Sequence, residues 1–319
     1  MRILITGGAG FIGSSLIDRL LEPNYHDILV VDNFTTGKRN NLKNAENQIQ
    51  IIEGSIGCTA FCSSVFQYFK PDIVVHAAAS YKDPNNWHED SITNVVGTIN
   101  ILNECKKHDI RQIIYFQTSL CYGLKPLEQP ITLNHPLFSG KSQGGSSYAI
   151  SKTSAEQYIE LSGIPFFSFR LANAFGPRNL SGPLPTFYHR IKNNLPIVIN
   201  NTKRDFIYID DLIDVVEYAI DWGRDFEKGY YHISTGIDFS IEQLFNEIVK
   251  NLDVDYNHLD FIIKEPGEDD VATLLVDPSK TEKTFNWKAK TKFEEGVKTA
   301  IDWYKKNEIT ETFTHLKIK

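Results

Sequence analysis

Gly7-Gly8-Ala9-Gly10-Phe11-Ile12-Gly13 follows the short apolar run Ile3 to Thr6 and opens an amphipathic stretch, Phe11 to Leu21. A strand, a glycine-rich turn and a helix in that order bring backbone amides and the positive end of the helix to one point, where a pyrophosphate can approach closely. Gly7, Gly10 and Gly13 have Gly-x-x-Gly-x-x-Gly spacing, a variant of the dinucleotide fingerprint. The strand before and the helix after set it apart from an ordinary tight turn.

Outward from this turn, apolar runs of strand length alternate with helical patterns. The runs are Ile3 to Thr6, Ile28 to Asp32, Ile49 to Ile52, Asp72 to His76, Ile113 to Phe116 and Phe166 to Arg170. The helical patterns are Phe11 to Leu21, Ala60 to Phe69, Ser91 to His108 and Ser146 to Leu161. Such alternation predicts an α/β fold, a doubly wound parallel sheet with helices on both faces. After Arg170 the rhythm loosens. Pro177, Gly182, Pro183, Pro185 and Pro196 interrupt the chain around one helix expected at Thr186 to Asn193. Three further units follow: Phe206 to Ile209 with Leu212 to Trp222, Tyr231 to Ser234 with Ile241 to Leu252, and Leu259 to Ile263 before a last helix at Phe293 to Lys305. They predict a smaller C-terminal α/β domain partly interleaved with the first, with residues 1–170 binding a dinucleotide and residues 171–319 binding a substrate. Trp222 and Trp303 fall on apolar helical faces and are expected in the core.

Asp32 ends the second strand, 19 positions beyond Gly13. A carboxylate at that spacing accepts hydrogen bonds from the adenosine ribose and repels a 2′-phosphate, which favours NAD over NADP. Lys38 and Arg39 follow in the same loop and are expected to be solvated loop cations. Composition agrees with a globular protein. The chain has 319 residues, 41% hydrophobic and 23% charged, enough for two domains without staples. A net charge of −7 argues against a nucleic-acid partner. Cys58, Cys62, Cys105 and Cys121 lack metal-ligand spacing and the histidines are scattered, so no metal is expected. No apolar run reaches the length of a signal peptide or a membrane span, and the expected setting is cytoplasmic.

Tyr148 and Lys152 lie four residues apart in Ser147-Tyr-Ala-Ile-Ser-Lys152, so a helix places both on one face. A neighbouring ammonium stabilises a phenolate, and moving a tyrosine from about 10 toward neutrality needs roughly 4 kcal/mol for a shift of about three units. Lysine supplies part of that and the positive ring of an oxidised nicotinamide supplies more. Phe116 to Gly123 follows the fifth strand at the carboxyl edge of the sheet, which puts Thr118 or Ser119 beside Tyr148. His76 and Cys121 read as structural.

With these segments together, the chain resembles the extended short-chain dehydrogenase/reductase family, specifically its nucleotide-sugar epimerases and dehydratases. The further anchors are Asp32-Asn-Phe-Thr-Thr-Gly37, His76-Ala-Ala-Ala79, Asn94 with Gly97-Thr98, Arg170-Leu-Ala-Asn173, Gly176-Pro177, Arg204 to Asp210 and Phe285-Asn-Trp287. The resemblance implies a Rossmann domain with a small nucleotide-sugar domain, NAD as cofactor, and a homodimer built on two helices per subunit, for which Ser91 to His108 and Ser146 to Leu161 are the candidates. It places NAD on Gly7, Gly10, Phe11, Ile12, Gly13, Asp32, Asn33, Ala77, Ala78, Tyr148 and Lys152. It makes Thr118, Tyr148 and Lys152 catalytic and sets Asn173 and Arg204 at the nucleotide diphosphate of a substrate taken by default as a UDP-sugar. Lys82, after His76 to Ser80, is expected to pair with an anionic group such as a C6 carboxylate.

Departures from the family pattern narrow the reaction. Dehydratases of the family place an acid pair after the threonine, and this chain has Ser119 and Leu120. Elimination loses its catalyst, and C4 epimerisation of a UDP-hexose or UDP-hexuronate through a 4-keto intermediate remains, a step in surface-polysaccharide precursor synthesis. The alternatives are a 4,6-dehydratase or C5 epimerase, a reductase with net cofactor turnover, and an inactive dinucleotide-binding regulator. Glu53-Gly54-Ser55 lacks the acidic adenine contact, and Glu265-Pro-Gly-Glu-Asp-Asp270 lacks an arginine for the nucleotide.

Overall fold

The computed structural model describes residues 1–21, 26–138, 146–267 and 271–313, so the last three residues of the Glu265 to Asp270 stretch lie outside the described residues. The six apolar runs form β1 (Arg2–Thr6), β2 (Asp27–Asp32), β3 (Gln50–Glu53), β4 (Ile73–His76), β5 (Gln112–Thr118) and β6 (Phe166–Leu171). Between them run α1 (Phe11–Leu21), α2 (Thr59–Phe69), α3 (Trp87–Asp90), α4 (Gly97–Lys107) and α5 (Ser147–Ser162). Successive residues of a strand face opposite sides, so each strand feeds two cores. Ile3, Ile5, Val30 and Val75 pack with α1 on one side, and Leu4, Leu29, Val74 and Ile113 with α2, α4 and α5 on the other.

The second half supplies β7 (Asn173–Phe175), α6 (Pro183–Lys192), β8 (Ile197–Asn200), β9 (Lys203–Tyr208), α7 (Ile209–Asp221), β10 (Gly229–Ile233), β11 (Asp238–Ser240), α8 (Ile241–Leu252), β12 (Phe261–Lys264), β13 (Thr273–Leu274), α9 (Ser279–Phe285) and α10 (Phe293–Asn307). The central sheet has seven parallel strands in the order β10-β6-β5-β4-β1-β2-β3. Its seventh strand, β10, comes from the Tyr231 to Ser234 run that the sequence assigned to the smaller unit. β6 offers a free edge in line with it, and Tyr231 packs on Phe167 and Phe169. β9 is flanked by β7, β11 and β13 in a smaller sheet, and β8 pairs with β12.

Three local expectations change. The helix expected at Thr186 begins at Pro183, because the first turn of a helix has no use for the missing N–H of proline. The stretch expected as one helix from Ser91 opens as a wider π-turn over Ser91–Val96 before α4. Trp222 is 60% exposed, since it follows the end of α7 where the apolar stripe has left the core, while Trp303 is half-buried against it.

One buried ion pair fastens α5 to the sheet. Glu156 accepts from Arg170 Nε at 3.1 Å and Nη2 at 2.9 Å, and Arg170 Nη1 donates to the Tyr122 hydroxyl at 2.8 Å. Breaking such a pair strands a charge in a dry interior. Glu156→Ala is expected to lower the unfolding free energy in urea by about 3–5 kcal/mol; a loss below about 1 kcal/mol, the size of a surface pair, would show that the contact does not secure the helix.

Candidate active site

β1 and β4 are neighbours whose connecting helices leave on opposite sides, and the crevice at their carboxyl ends is where such sheets receive ligands. Gly7 turns out of β1 with φ of +69°, and a Cβ there would lie 2.6 Å from the Cα of Ala78, just beyond β4. Gly13 sits in the first turn of α1, where a Cβ would meet the Gly7 carbonyl oxygen at 2.5 Å. The two glycines therefore let helix, turn and β4 close together, with the first-turn amides of α1 lacking partners inside the helix. The resulting cavity, of about 430 Å³, is lined by Gly7, Gly10, Phe11, Ile12, Gly13, Asp32, Asn33, Ala77, Ala78, Lys82, Thr118, Tyr148, Lys152, Asn173 and Arg204. Every residue expected to hold a cofactor or a sugar faces one space.

At the β2 end, Asp32 is buried and accepts from the amides of Ala9 at 2.9 Å and Phe34 at 2.8 Å. Burial raises its carboxyl above the usual range, and those amides oppose the rise. Lys38 and Arg39, expected to be solvated loop cations, are partly exposed but each carries an ion pair. Lys38 ion-pairs with Glu311 and Arg39 with Glu53, because the chain end and β3 bring carboxylates beside the loop.

At the other end, Thr118 closes β5, and its hydroxyl accepts from the Leu120 amide at 3.2 Å as the cap of the turn Ser119–Tyr122. Tyr148 and Lys152 share α5. The Lys152 carbonyl accepts from the Tyr115 hydroxyl at 3.0 Å and from Gln117 Nε2 at 3.1 Å, and its ammonium lies 3.9 Å from the Tyr115 ring centroid. Burial pushes Lys152 down to about 7, with Glu156 pulling the other way. Tyr148 is driven up, first by desolvation and then by Tyr81 and Asp90. In the chain by itself the enclosure that brings Tyr148 and Lys152 together penalises both charged forms, so the expected help of the lysine is opposed by desolvation of the phenol.

A polar frame holds this corner. Asn94, in the π-turn, accepts from the Ser80 amide at 2.8 Å and donates to the Ser80 carbonyl at 3.0 Å and to Ser151 Oγ at 2.9 Å. Ser151 in turn donates to the Tyr148 carbonyl at 3.0 Å, so the loop after β4 is tied to α5. Sequence reading quoted Asn94 as a motif residue and missed Ser80, Ser151 and Tyr115, which lie in unremarkable polar or apolar runs. Tyr115 carries no signal at all, being one aromatic in a buried strand.

The remaining candidates are placed as follows. Asn173 opens β7 and donates to the Asp205 carbonyl at 3.3 Å. Arg204 Nη1 donates to the carbonyls of Lys203 and Val271 at 2.7 and 2.6 Å. Lys82 stands 3.7 Å from Glu311, so an anionic substituent would have to compete with that carboxylate. His76 is buried between Thr6 and Thr98 at 2.7 and 2.9 Å and is structural; burial takes it down to about 3. Cys121 is buried in the core, and burial raises its thiol. Among the described residues no group of His, Cys, Asp or Glu could hold a metal, and no helix is long and apolar enough to cross a membrane.

Comparison with known proteins gives a consistent result. Residues 3–234 match the model of the NAD dependent epimerase/dehydratase family. A putative UDP-glucose 4-epimerase of Methanocaldococcus jannaschii is 32% identical, over 97% of this chain and all of the relative. A dTDP-D-glucose 4,6-dehydratase of Mus musculus is 29% identical, over 96% of this chain and 89% of the relative. The crystal structure of the Bordetella bronchiseptica enzyme WbmG in complex with NAD and UDP superposes with a TM-score of 0.88 at 40% identity, covering 100% of this chain and 99% of that one.

Gly13→Val is expected to weaken NAD binding more than about tenfold, or about 1.4 kcal/mol, with the far-UV spectrum preserved. Unchanged affinity by titration calorimetry would mean that the glycine contact between α1 and the turn does not shape the cradle.

Proposed function

The chain belongs to the NAD-dependent epimerase/dehydratase family, and we propose that within it the chain is a nucleotide-sugar epimerase inverting C4 of a UDP-hexose or UDP-hexuronate through a 4-keto intermediate. NAD is its cofactor. The residues present fit that group: the glycine cradle with helix amides suits a pyrophosphate, and the Asp32 carboxylate, with lone pairs beyond the two amides, suits an unphosphorylated ribose. When bound, NAD takes and returns the hydride, and its positive ring favours a nearby phenolate.

In this reading Tyr148 takes the proton of the sugar hydroxyl and later restores it, Thr118 holds the same oxygen, and Lys152 binds the nicotinamide ribose and stabilises the phenolate. Asn173 and Arg204 serve the nucleotide diphosphate, Lys82 an anionic substituent. Residues 1–170 act as the NAD-binding half and 171–319 as the nucleotide-sugar half. The observation that carries C4 epimerisation is the absence of an acid beside Thr118: Ser119 is buried and Leu120 cannot move a proton. The carboxylates Asp83 and Glu89 also line the cleft, and a dehydratase would have to draw on such groups; Glu89 is already engaged by the Thr93 hydroxyl at 2.9 Å. A homodimer through α4 and α5 is supported by the exposed Ile150, Tyr158 and Leu161 on α5 and Val96 just before α4.

A panel of UDP- and dTDP-sugars incubated in deuterated water and read by NMR tests the reading. The expected product is a C4 epimer with unlabelled carbon, lost about 100-fold or more in Tyr148→Phe, the usual scale for a proton-transfer group. Deuterium at C5, a 4-keto-6-deoxy product, or bound NAD with no turnover on any sugar would replace it with C5 epimerisation, dehydration or a regulatory role.

A further inference from the structure

Residues 33–42, the loop leaving β2, hold two cations, Lys38 and Arg39. A carboxylate from elsewhere in the chain has taken each. Glu53 stands beside Asp32 in the parallel register of β2 and β3 and ion-pairs with Arg39, whose guanidinium lies 4.1 Å from the Phe34 ring centroid. Glu311 reaches Lys38 across 273 positions of sequence and also approaches Lys82 at 3.7 Å. Two backbone hydrogen bonds anchor its segment: the Phe313 amide donates to the Leu180 carbonyl at 2.7 Å, and the Gly182 amide to the Phe313 carbonyl at 3.1 Å. The Phe313 ring packs edge-on to Tyr81. Residues 311–313 are thus a strap from the smaller half to the loops after β2 and β4. Lys38, the first cause, holds the Glu311 carboxyl below its usual range.

A ribose 2′-phosphate beside the acid that ends β2 needs a cation from the same neighbourhood to accept it. Here Lys38 and Arg39, the two cations of the connection nearest the end of β2, have carboxylate partners, Lys43 lying further along it, and the third carboxylate, Asp32, faces the site. We propose that Glu53 and Glu311 are cofactor-specificity residues. By occupying Arg39 and Lys38 they withhold positive charge from a 2′-phosphate, so preference for NAD over NADP is set by three carboxylates together. Glu311 makes that preference depend on the docked strap. The inference concerns the NAD site alone and stands whether or not C4 of a sugar is inverted.

The test is the ratio of NAD to NADP affinity, measured by titration calorimetry on the nucleotide-stripped full chain. Both ion pairs are partly exposed and screened, so each of Glu53→Gln and Glu311→Gln is expected to shift the ratio toward NADP by about three- to tenfold, with the double variant shifting further. In a Lys38→Ala background Glu311→Gln should add nothing. Loosening of the strap that weakened both nucleotides equally would leave the ratio unchanged, and that result in the double variant overturns the proposal. So would an undiminished effect of Glu311→Gln without Lys38, since the carboxylate would then act on the cleft by another route.

Discussion

Lys152 is pinned by its own backbone, and the chemistry of the cleft depends on that. Two side chains of β5, Tyr115 and Gln117, donate to its carbonyl, the ring of Tyr115 lies under its ammonium, and one turn further along α5 Glu156 grips Arg170 on β6. These contacts fix the height and rotation of α5 against the sheet. Tyr148, a turn earlier, is thereby delivered to the carboxyl edge where β1, β4 and β5 end. Anchoring of this kind keeps a reactive pair in one geometry with little reorganisation. It also withdraws the pair from water, and for that reason Lys152 falls to about 7 while the Tyr148 phenol rises. In the chain alone burial keeps the Tyr148 phenol protonated, and its ionisation needs a stabilising positive charge.

The same economy of placement appears at the mouth of the cleft. Chain segments far apart in sequence converge there: the loop after β2, the loop after β4, the turn before α6 and the strap at 311–313. Their contacts are ionic, aromatic and backbone hydrogen bonds, lying over a glycine floor that brings backbone close to the ligand space. In the proposed function the catalytic groups sit on the strands and α5, whereas the groups proposed to select cofactor and sugar sit on these rim segments. That division follows from what each part can hold steady.

Much of this was legible in the sequence because it rests on local rules. The glycine turn announces itself by spacing, the parallel sheet by apolar runs separated by helical patterns, and the Tyr148 and Lys152 pair by one helical turn. All of the expected contact residues line one cavity. What escaped reading was non-local. β10 joins the central sheet because β6 has an edge to offer, a fact of topology that its own composition does not carry. Trp222 looked apolar on a helical wheel, but the helix ends before that position reaches the core. Pro183 read as a breaker although a first helical turn accepts it. Glu311 and Lys38 pair across nearly the whole chain. The burial that raises the Tyr148 phenol is non-local in the same way, since the attraction of one lysine is local while desolvation is imposed by every element packed around it.

Ionisation of Tyr148 is where the account is most exposed. The tyrosinate absorbance of the wild-type chain minus that of Tyr148→Phe, followed against pH with and without NAD, isolates this phenol from the other tyrosines. Burial predicts a step above the usual tyrosine value in the chain alone that moves down once NAD is bound, each unit of the move being worth about 1.4 kcal/mol to the phenolate. A step that stays in place when NAD binds would contradict it.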